Sequence, residues 1–515
     1  MCLTRLLIHT YVSFFYRCFQ PTSTTFSLNI SIDGLPLHKS SRTEFWPMLI
    51  NIHEEPEIPC MVVGIFSGSS KPRSKEAFLR PLVTELTNLT EHGIIIAGKL
   101  IQIRVRAFIA DSPARAFIKG TASYNAKAGC LKCTVRGQSH EMVRVVYFPY
   151  GDAAPRTDEN FRNFLYGDHQ IERTPVYDLP QFDLIKQVPV SDQLHLSDLG
   201  VTRKLLMIWI FGKHRTNCTK WSNQECVAIS SIIKKMKLPS EVHRKLRGLD
   251  HLTRWKGSEF ANFLRYASPV VLKQFILPTE YNHFMLYYCA ITLFSSNSYR
   301  EYWQQAGNML KQFVSEFASI YGEVYMSSNI HNLLHMYEEV CHFGPLNTFS
   351  SYPFENKLQS IKKLSRHGYK NLQQTVNRLL ELKHLDAASH TVESTFPNIK
   401  TIGNDIILNI NSEFVLRAND KDAWFLTKDD FIVKYISCKE AFSTINIYGQ
   451  HICEITESYT FHSSPWMKNI YEAYIYDISP TVSMYSIEDI KCKLVKIDTN
   501  FPSLMLYIPL IHTLR

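Results

Sequence analysis

At 515 residues, with 45% hydrophobic and 20% charged side chains, the chain can build two or three domains with real cores and is too apolar to be mainly disordered. No uncharged apolar run of about 18 residues exists, since the best stretch, Phe275 to Phe294, is broken by Pro278, Glu280, Asn282 and His283, so the sequence reads as a soluble protein with no membrane segment. A formal charge of +9 suits an anionic partner such as nucleic acid without requiring one, and twelve scattered cysteines are too few for a disulfide scaffold, so free, buried thiols in a reducing compartment are expected.

Residues 1–25 read as an N-terminal extension. Leu6 to Tyr16 imitates a signal-peptide core, but His9, Thr10 and Ser13 interrupt it and no small-residue cleavage site follows; a gene model that begins inside a larger protein fits it better. The first informative run is Phe26 to Asp33, where Phe26, Leu28, Ile30 and Ile32 alternate with polar residues at the period of a strand. Strand patterns follow over Phe45 to Ile52, its start demoted by Pro47, and over Met61 to Phe66. Lys75 to His92 is predicted as a helix capped by Gly93, and Leu100 to Ala110 as a strand that ends in Asp111. The order strand, strand, strand, helix, strand, with acids after the first and fourth strands, is the beginning of a ribonuclease H-like fold. The expected class is therefore α/β.

Residues 26–195 would form that core, with a loop-rich part from Gly120 to Asp192. Helical periodicity over 196–340 predicts an insertion, exemplified by Arg300 to Ile320 with its stripe of Trp303, Ala306, Leu310, Phe313, Val314 and Phe317. Residues 341–390 would close the core with a helix over Pro353 to Leu364 that runs on toward Leu385. Residues 396–515 return to strand-like runs such as Ile406 to Ile410 and Phe431 to Ile436, predicting a β-rich C-terminal domain.

Phosphodiester chemistry needs an activated nucleophile and a stabilised leaving oxygen, which two Mg²⁺ or Mn²⁺ ions about 4 Å apart supply when carboxylates hold them. Asp33 and Asp111 are the strand-end acids, and Glu355, in the first turn of a proline-started helix, is the third candidate. Lys362 and Arg366 share the face of Glu355; Lys39 and Arg42 follow Asp33, and Lys119 follows Asp111. These five cations are expected to contact DNA phosphates. An ordinary turn aspartate and a solvated amphipathic helix would look the same locally.

Cys130-Leu-Lys-Cys133 has the spacing of a zinc knuckle, and His331-Asn-Leu-Leu-His335 puts two imidazoles on one helix face. Together they predict a structural Cys2His2 zinc site joining the start of the insertion to its end. A reduced cysteine pair and two helix histidines are the plainer alternative. Asp192-Gln-Leu-His195 is a D-x2-H string that also suits a loop and helix cap.

The strings SIDGLPLHKSS, FWPMLI, GIFSGSSKP, FLRPLVTEL, FIADSPARAFIKG, AGCLKC, RTDENFR, VPVSDQLHLSDLGVTRKLL and NIHNLLHMYEEVCHFGPLNTFSSYPFENKLQSIKKL occur in this order over roughly residues 26–385. In them the chain resembles the transposases of CACTA (En/Spm-like) DNA elements and their insect relatives. The resemblance implies a DDE transposase, with Asp33, Asp111 and Glu355 as its motif acids and Asp192 and His195 as the signature of the group. The Cys/His spacing also resembles the zinc site of Transib-type recombinases, including the antigen-receptor recombinase. A nuclear enzyme is implied, a homo-oligomer on DNA with element ends and target DNA as partners, cutting and joining strands. The alternative is a domesticated, catalytically silent DNA- or chromatin-binding protein. Nothing in residues 1–25 matches the DNA-binding region such transposases usually carry, and residues 396–515 lie outside the resemblance.

Overall fold

The computed structural model describes residues 2–5, 21, 23–37, 43–141, 143–212, 218–365, 370–389, 396–403, 405–441, 444–454, 456–457, 470–499 and 503–515. The chain divides into two compact units, each made of two separate spans: 1–196 with 323–393, and 197–322 with 394–515. It is a mixed α/β protein with a helical middle and a β-rich C-terminal region.

The first unit is built on a seven-stranded sheet. Its strands are β1 (Cys2–Arg5), β2 (Thr25–Ile32), β3 (Leu35–Pro36), β4 (Glu44–Ile52), β5 (Met61–Gly68), β6 (Ile94–Ile96) and β7 (Lys99–Phe108), in the order β1-β5-β4-β2-β7-β6, with β3 beside β4. β2 is central, antiparallel to β4 and parallel to β7. Its apolar alternation is as predicted, but Asn29 and Ser31 on the other face are buried too, because a central strand is covered on both sides. Asn29 is satisfied there by the Arg106 guanidinium at 2.9 Å. Pro47 stays inside β4 between the pairing of Phe45 with Leu35 and that of Met48 with Ile32, where a missing N–H costs least.

Between β5 and β6 runs α1 (Lys75–His92). Ser74 caps it by accepting a hydrogen bond from the Ala77 N–H at 3.0 Å, and Phe78, Leu82, Leu86 and Leu89 are buried as their spacing requires. Gly93 ends it at φ 68°, where a Cβ would stand 2.7 Å from the Ile101 carbonyl. Asp111 caps α2 (Ser112–Lys119), accepting from the Ala114 N–H at 2.8 Å. The remaining elements that matter for function are α3 (Ser328–Asn332), α4 (Met336–Phe343) and α5 (Tyr352–Leu364). The helix expected to continue from α5 is separate, spanning Asn371–Ser389.

The second unit corrects the expected domain plan. Residues 197–322 do not stand alone; they form one unit with the C-terminal strands, whereas 323–340, expected to belong to the insertion, falls in the first unit. A buried polar junction ties the two spans of this unit: the fully buried Lys493 ammonium bonds Glu241 at 2.8 Å and Asp422 at 2.9 Å, and Ser240 bonds Asp422. Within the helical part, Pro278–Phe294 and Trp303–Tyr321 pack through His283 stacked on Phe313 at 4.3 Å. The C-terminal span forms a three-stranded sheet and an eight-stranded sheet. Among the described residues no helix is long and apolar enough to cross a membrane, and the described cysteines are free, with Cys341 and Cys453 exposed where burial was expected.

Candidate functional site

Because β2 and β7 are parallel neighbours, their C-terminal ends point the same way, and Asp33 and Asp111 follow those ends. The Ile109 N–H donates to the Ile30 carbonyl at 2.8 Å, extending the pairing to within two residues of Asp111. Glu355, in the first turn of α5, meets them, close enough that its carboxyl interacts with those of Asp33 and Asp111. The three acids interact electrostatically. Burial, then the charges of Asp111 and Glu355, push the Asp33 carboxyl up to about 7, and burial raises Glu355 as well. Glu355 keeps 33% of its side chain exposed, so the group is open to solvent on one side.

Asp192 and His195 belong to the same constellation. Asp192, 1% exposed, spends one carboxylate oxygen on the Ser351 N–H at the start of α5 (2.6 Å) and the other on the backbone N–H (3.0 Å) and Nδ1 (2.6 Å) of His195. It is the helix cap the D-x2-H string suggested and also a clamp on the helix that carries Glu355. His195 Nε2 stands 3.9 Å from Glu355. Burial pulls the imidazole down, but Asp192 first, then Glu355 and Asp111, outweigh it and raise His195 to about 8. Asp192 is held low in turn: burial opposes its charge, and His195 and the two backbone donors overcome that.

Cys130, Cys133, His331 and His335 converge so that their four ligand atoms lie within 4.8 Å of one another. A zinc tetrahedron with bonds of about 2.3 Å to sulfur and about 2.05 Å to nitrogen has edges of about 3.8, 3.6 and 3.4 Å for S–S, S–N and N–N. The corresponding distances are 3.6 Å between the sulfurs, 3.4 and 3.3 Å between sulfur and imidazole, and 3.3 Å between the imidazoles. The donor set therefore fits a metal such as zinc. Burial opposes ionisation of Cys130, but Cys133 and the two imidazoles bring its thiol well below the ordinary range. The histidines do not share one helix as expected: His331 is in α3, and a 3-10 turn over Leu333–His335 separates it from α4.

A buried relay joins the two groups. Lys132, between the knuckle cysteines, pairs with Glu339 of α4 at 2.7 Å, both nearly inaccessible. Glu339 also accepts from the Val190 N–H (2.9 Å) and the Ser191 N–H (2.8 Å), which fixes the chain just before Asp192. Arg115, buried beside Asp192, Glu339 and Asp111, donates to the Pro189 carbonyl at 2.8 Å. Neither Glu339 nor Arg115 was anticipated. For Glu339 a signal existed, since it follows His331 and His335 at the same four-residue interval.

The expected phosphate contacts need correction. Lys119 is fully buried with its ammonium 4.4 Å from the Phe161 ring centre, so it cannot reach DNA; α2 turns it into the core, away from Asp111. Lys362 is exposed and donates to the Pro36 carbonyl at 2.6 Å. Lys39, Arg42 and Arg366 lie outside the described residues. No protein-family model matches the chain, and no curated protein matches it.

Proposed function

We propose that the chain is a transposase-derived nuclear protein of the CACTA type that cuts DNA strands and joins the freed 3′-hydroxyl to target DNA, on a ribonuclease H-like core. The observation that carries the reading is the meeting of Asp33, Asp111 and Glu355 from two adjacent parallel strand ends and one helix start. The strand order β5-β4-β2-β7, with only the last pair parallel, supports the core assignment. The acids suit hard cations: all three are carboxylates, they are partly open, and Asp33 and Glu355 are held protonated more readily than ordinary acids because burial and the neighbouring carboxylates outweigh the charge of His195.

Two Mg²⁺ or Mn²⁺ ions bound there would activate water or a 3′-hydroxyl and stabilise the departing oxygen. Asp33 and Asp111 hold the ions in this reading, and Glu355 completes the set. Asp192 orients the helix of Glu355 and the ring of His195, whose Nε2 is turned toward the acids. The Cys130, Cys133, His331 and His335 group is structural and takes zinc. The test is Mg²⁺- or Mn²⁺-dependent nicking and joining of DNA carrying element ends. Asp111→Ala should abolish cleavage and leave DNA binding intact, because losing a metal ligand removes transition-state stabilisation rather than phosphate contacts. A wild-type chain that binds DNA but never cuts it would favour the domesticated binding protein.

A further inference from the structure

The acid cluster leaves most of the positive charge of the chain unexplained. A dense run of cations lies in the helical part of the second unit: from Lys234 to Lys256 stand eight lysines and arginines and only two acids, a net +6 within 23 residues of a chain whose total is +9.

Packing turns that charge outward. Leu246, Leu249, Leu252 and Trp255, three residues apart, are all buried, together with Ile229 and Ile233 of the helix Asn223–Lys235. Lys234, Lys235, Arg244, Lys245, Arg254 and Lys256 are left exposed. The segment is tied down: the Leu249 N–H donates to Ser230 Oγ at 3.0 Å, the Trp255 indole to the Gly248 carbonyl at 3.2 Å, and Arg247 to the Arg254 carbonyl at 2.6 Å. Gly248 lies so close to Lys234 that a Cβ would meet its side chain at 2.6 Å.

Lys237 is paired with Asp420 at 2.7 Å, but two of the other acids near this face are withdrawn from it. Glu241 is 7% exposed and paired with Lys493, and the fully buried Glu259 takes up Arg247 through two bonds of 2.7 Å. Asp250 is the exposed acid of the stretch, 3.5 Å from Lys234 and 3.2 Å from His251. Among the described residues, the side-chain charges of Lys235, Arg244, Lys245, Arg254 and Lys256 have no carboxylate within 4.0 Å, the Glu259 carboxylate meeting only the backbone N–H of Lys256.

We infer that this face is a contact surface for the phosphate backbone of duplex DNA. Unpaired cations on an already ordered segment release DNA counterions on binding while little of the protein must be ordered. Trp255 is the stretch's only Phe, Tyr or Trp and it is buried, so no such ring is offered to unstacked bases and the contact is independent of sequence. The inference goes beyond the cleavage reading and stands without it, because it requires no metal chemistry.

The experiment measures binding of the full chain to a short duplex of arbitrary sequence across a salt series. The variant carries Lys235→Gln, Arg244→Gln, Lys245→Gln, Arg254→Gln and Lys256→Gln. A control of equal charge carries Lys220→Gln, Lys311→Gln, Lys400→Gln, Lys428→Gln and Lys439→Gln, exposed lysines of the same unit. The patch variant should bind at least about tenfold more weakly, with a log K against log salt slope shallower by about 4.5, at roughly 0.9 per lost phosphate contact; the control should stay near wild type. Should the five substitutions unfold the chain, Lys245→Gln with Arg254→Gln should still flatten the slope by about 1.8. Unchanged slope in the patch variant, or an equal loss in the control, overturns the inference, as does a patch effect on anionic vesicles without one on DNA. Binding that follows this pattern in a chain that never cuts DNA counts against the cleavage reading alone.

Discussion

The Cys/His group and the acid group occupy one unit and draw on the same spans of chain, yet they are finished to different degrees. The four Cys/His ligand atoms already stand at the edge lengths of a tetrahedron, and Cys130, Cys133 and His331 are at most 5% exposed. The acids instead repel one another, Asp33 and Glu355 are raised by burial and by the neighbouring carboxylates, and the group stays partly open. A structural metal site is closed by the protein; a catalytic one keeps positions free for substrate and relies on the ion to cancel its charge. The relay from Lys132 through Glu339 to the backbone before Asp192, and from Asp192 to the start of α5, lets the closed site hold the open one in place.

The comparison breaks most visibly at the Cys/His group, which fits a metal such as zinc. Cys130→Ser should lose the metal and much of the stability of the first unit, since structural zinc contributes on the order of 10 kcal/mol of apparent binding energy to folding. Metal analysis and thermal unfolding check this, and one full equivalent of zinc retained by the variant would count against the site. The relay is the next test. Glu339→Met leaves Lys132 charged and unpaired and two backbone N–H groups without an acceptor, and should cost about 3–5 kcal/mol. Lys132→Met should cost less, because Glu339 keeps its two backbone donors. Equal losses in denaturant unfolding would mean that the ion pair alone matters.

The smallest effect is in the pH dependence. The Asp33 carboxyl is raised from 3.8 to about 7 in the folded chain, so without divalent ions its contribution to stability is fully present below pH 3.8 and is lost as pH rises through about 7. Between pH 5.5 and 7.5, Asp33→Asn should flatten the decline of the metal-free protein by on the order of 2 kcal/mol, once partial exposure is discounted. Mg²⁺ should have the same flattening effect on wild type. A slope unchanged by either would show that Asp33 does not carry the buried charge.

What could be read beforehand follows the range of the forces involved. Helix Lys75–His92 was legible to the residue because Ser74, the apolar spacing and Gly93 act locally. The short strand Ile94–Ile96 was not, since three isoleucines after a helix carry no period. The Cys/His group was legible because ligand spacing within each half is set by local geometry, and Asp33 and Asp111 because they follow strand ends. Lys119 misled because its partner, Phe161, is far along the chain and only tertiary packing decides which face of α2 is buried. The joining of 197–322 with the C-terminal strands was invisible for the same reason: Glu241 and Lys493 give no sequence signal of their pairing.

The claim that the acids form a divalent-ion site distinct from zinc is tested most directly by titrating the zinc-loaded chain with Mn²⁺ and counting bound ions by electron paramagnetic resonance. Wild type should bind Mn²⁺ without releasing zinc, and Asp33→Asn and Asp111→Asn should each lose that binding by tenfold or more while zinc content stays constant. Mn²⁺ affinity unchanged in both variants, or Mn²⁺ taken up only as zinc leaves, would contradict the assignment of Asp33, Asp111 and Glu355.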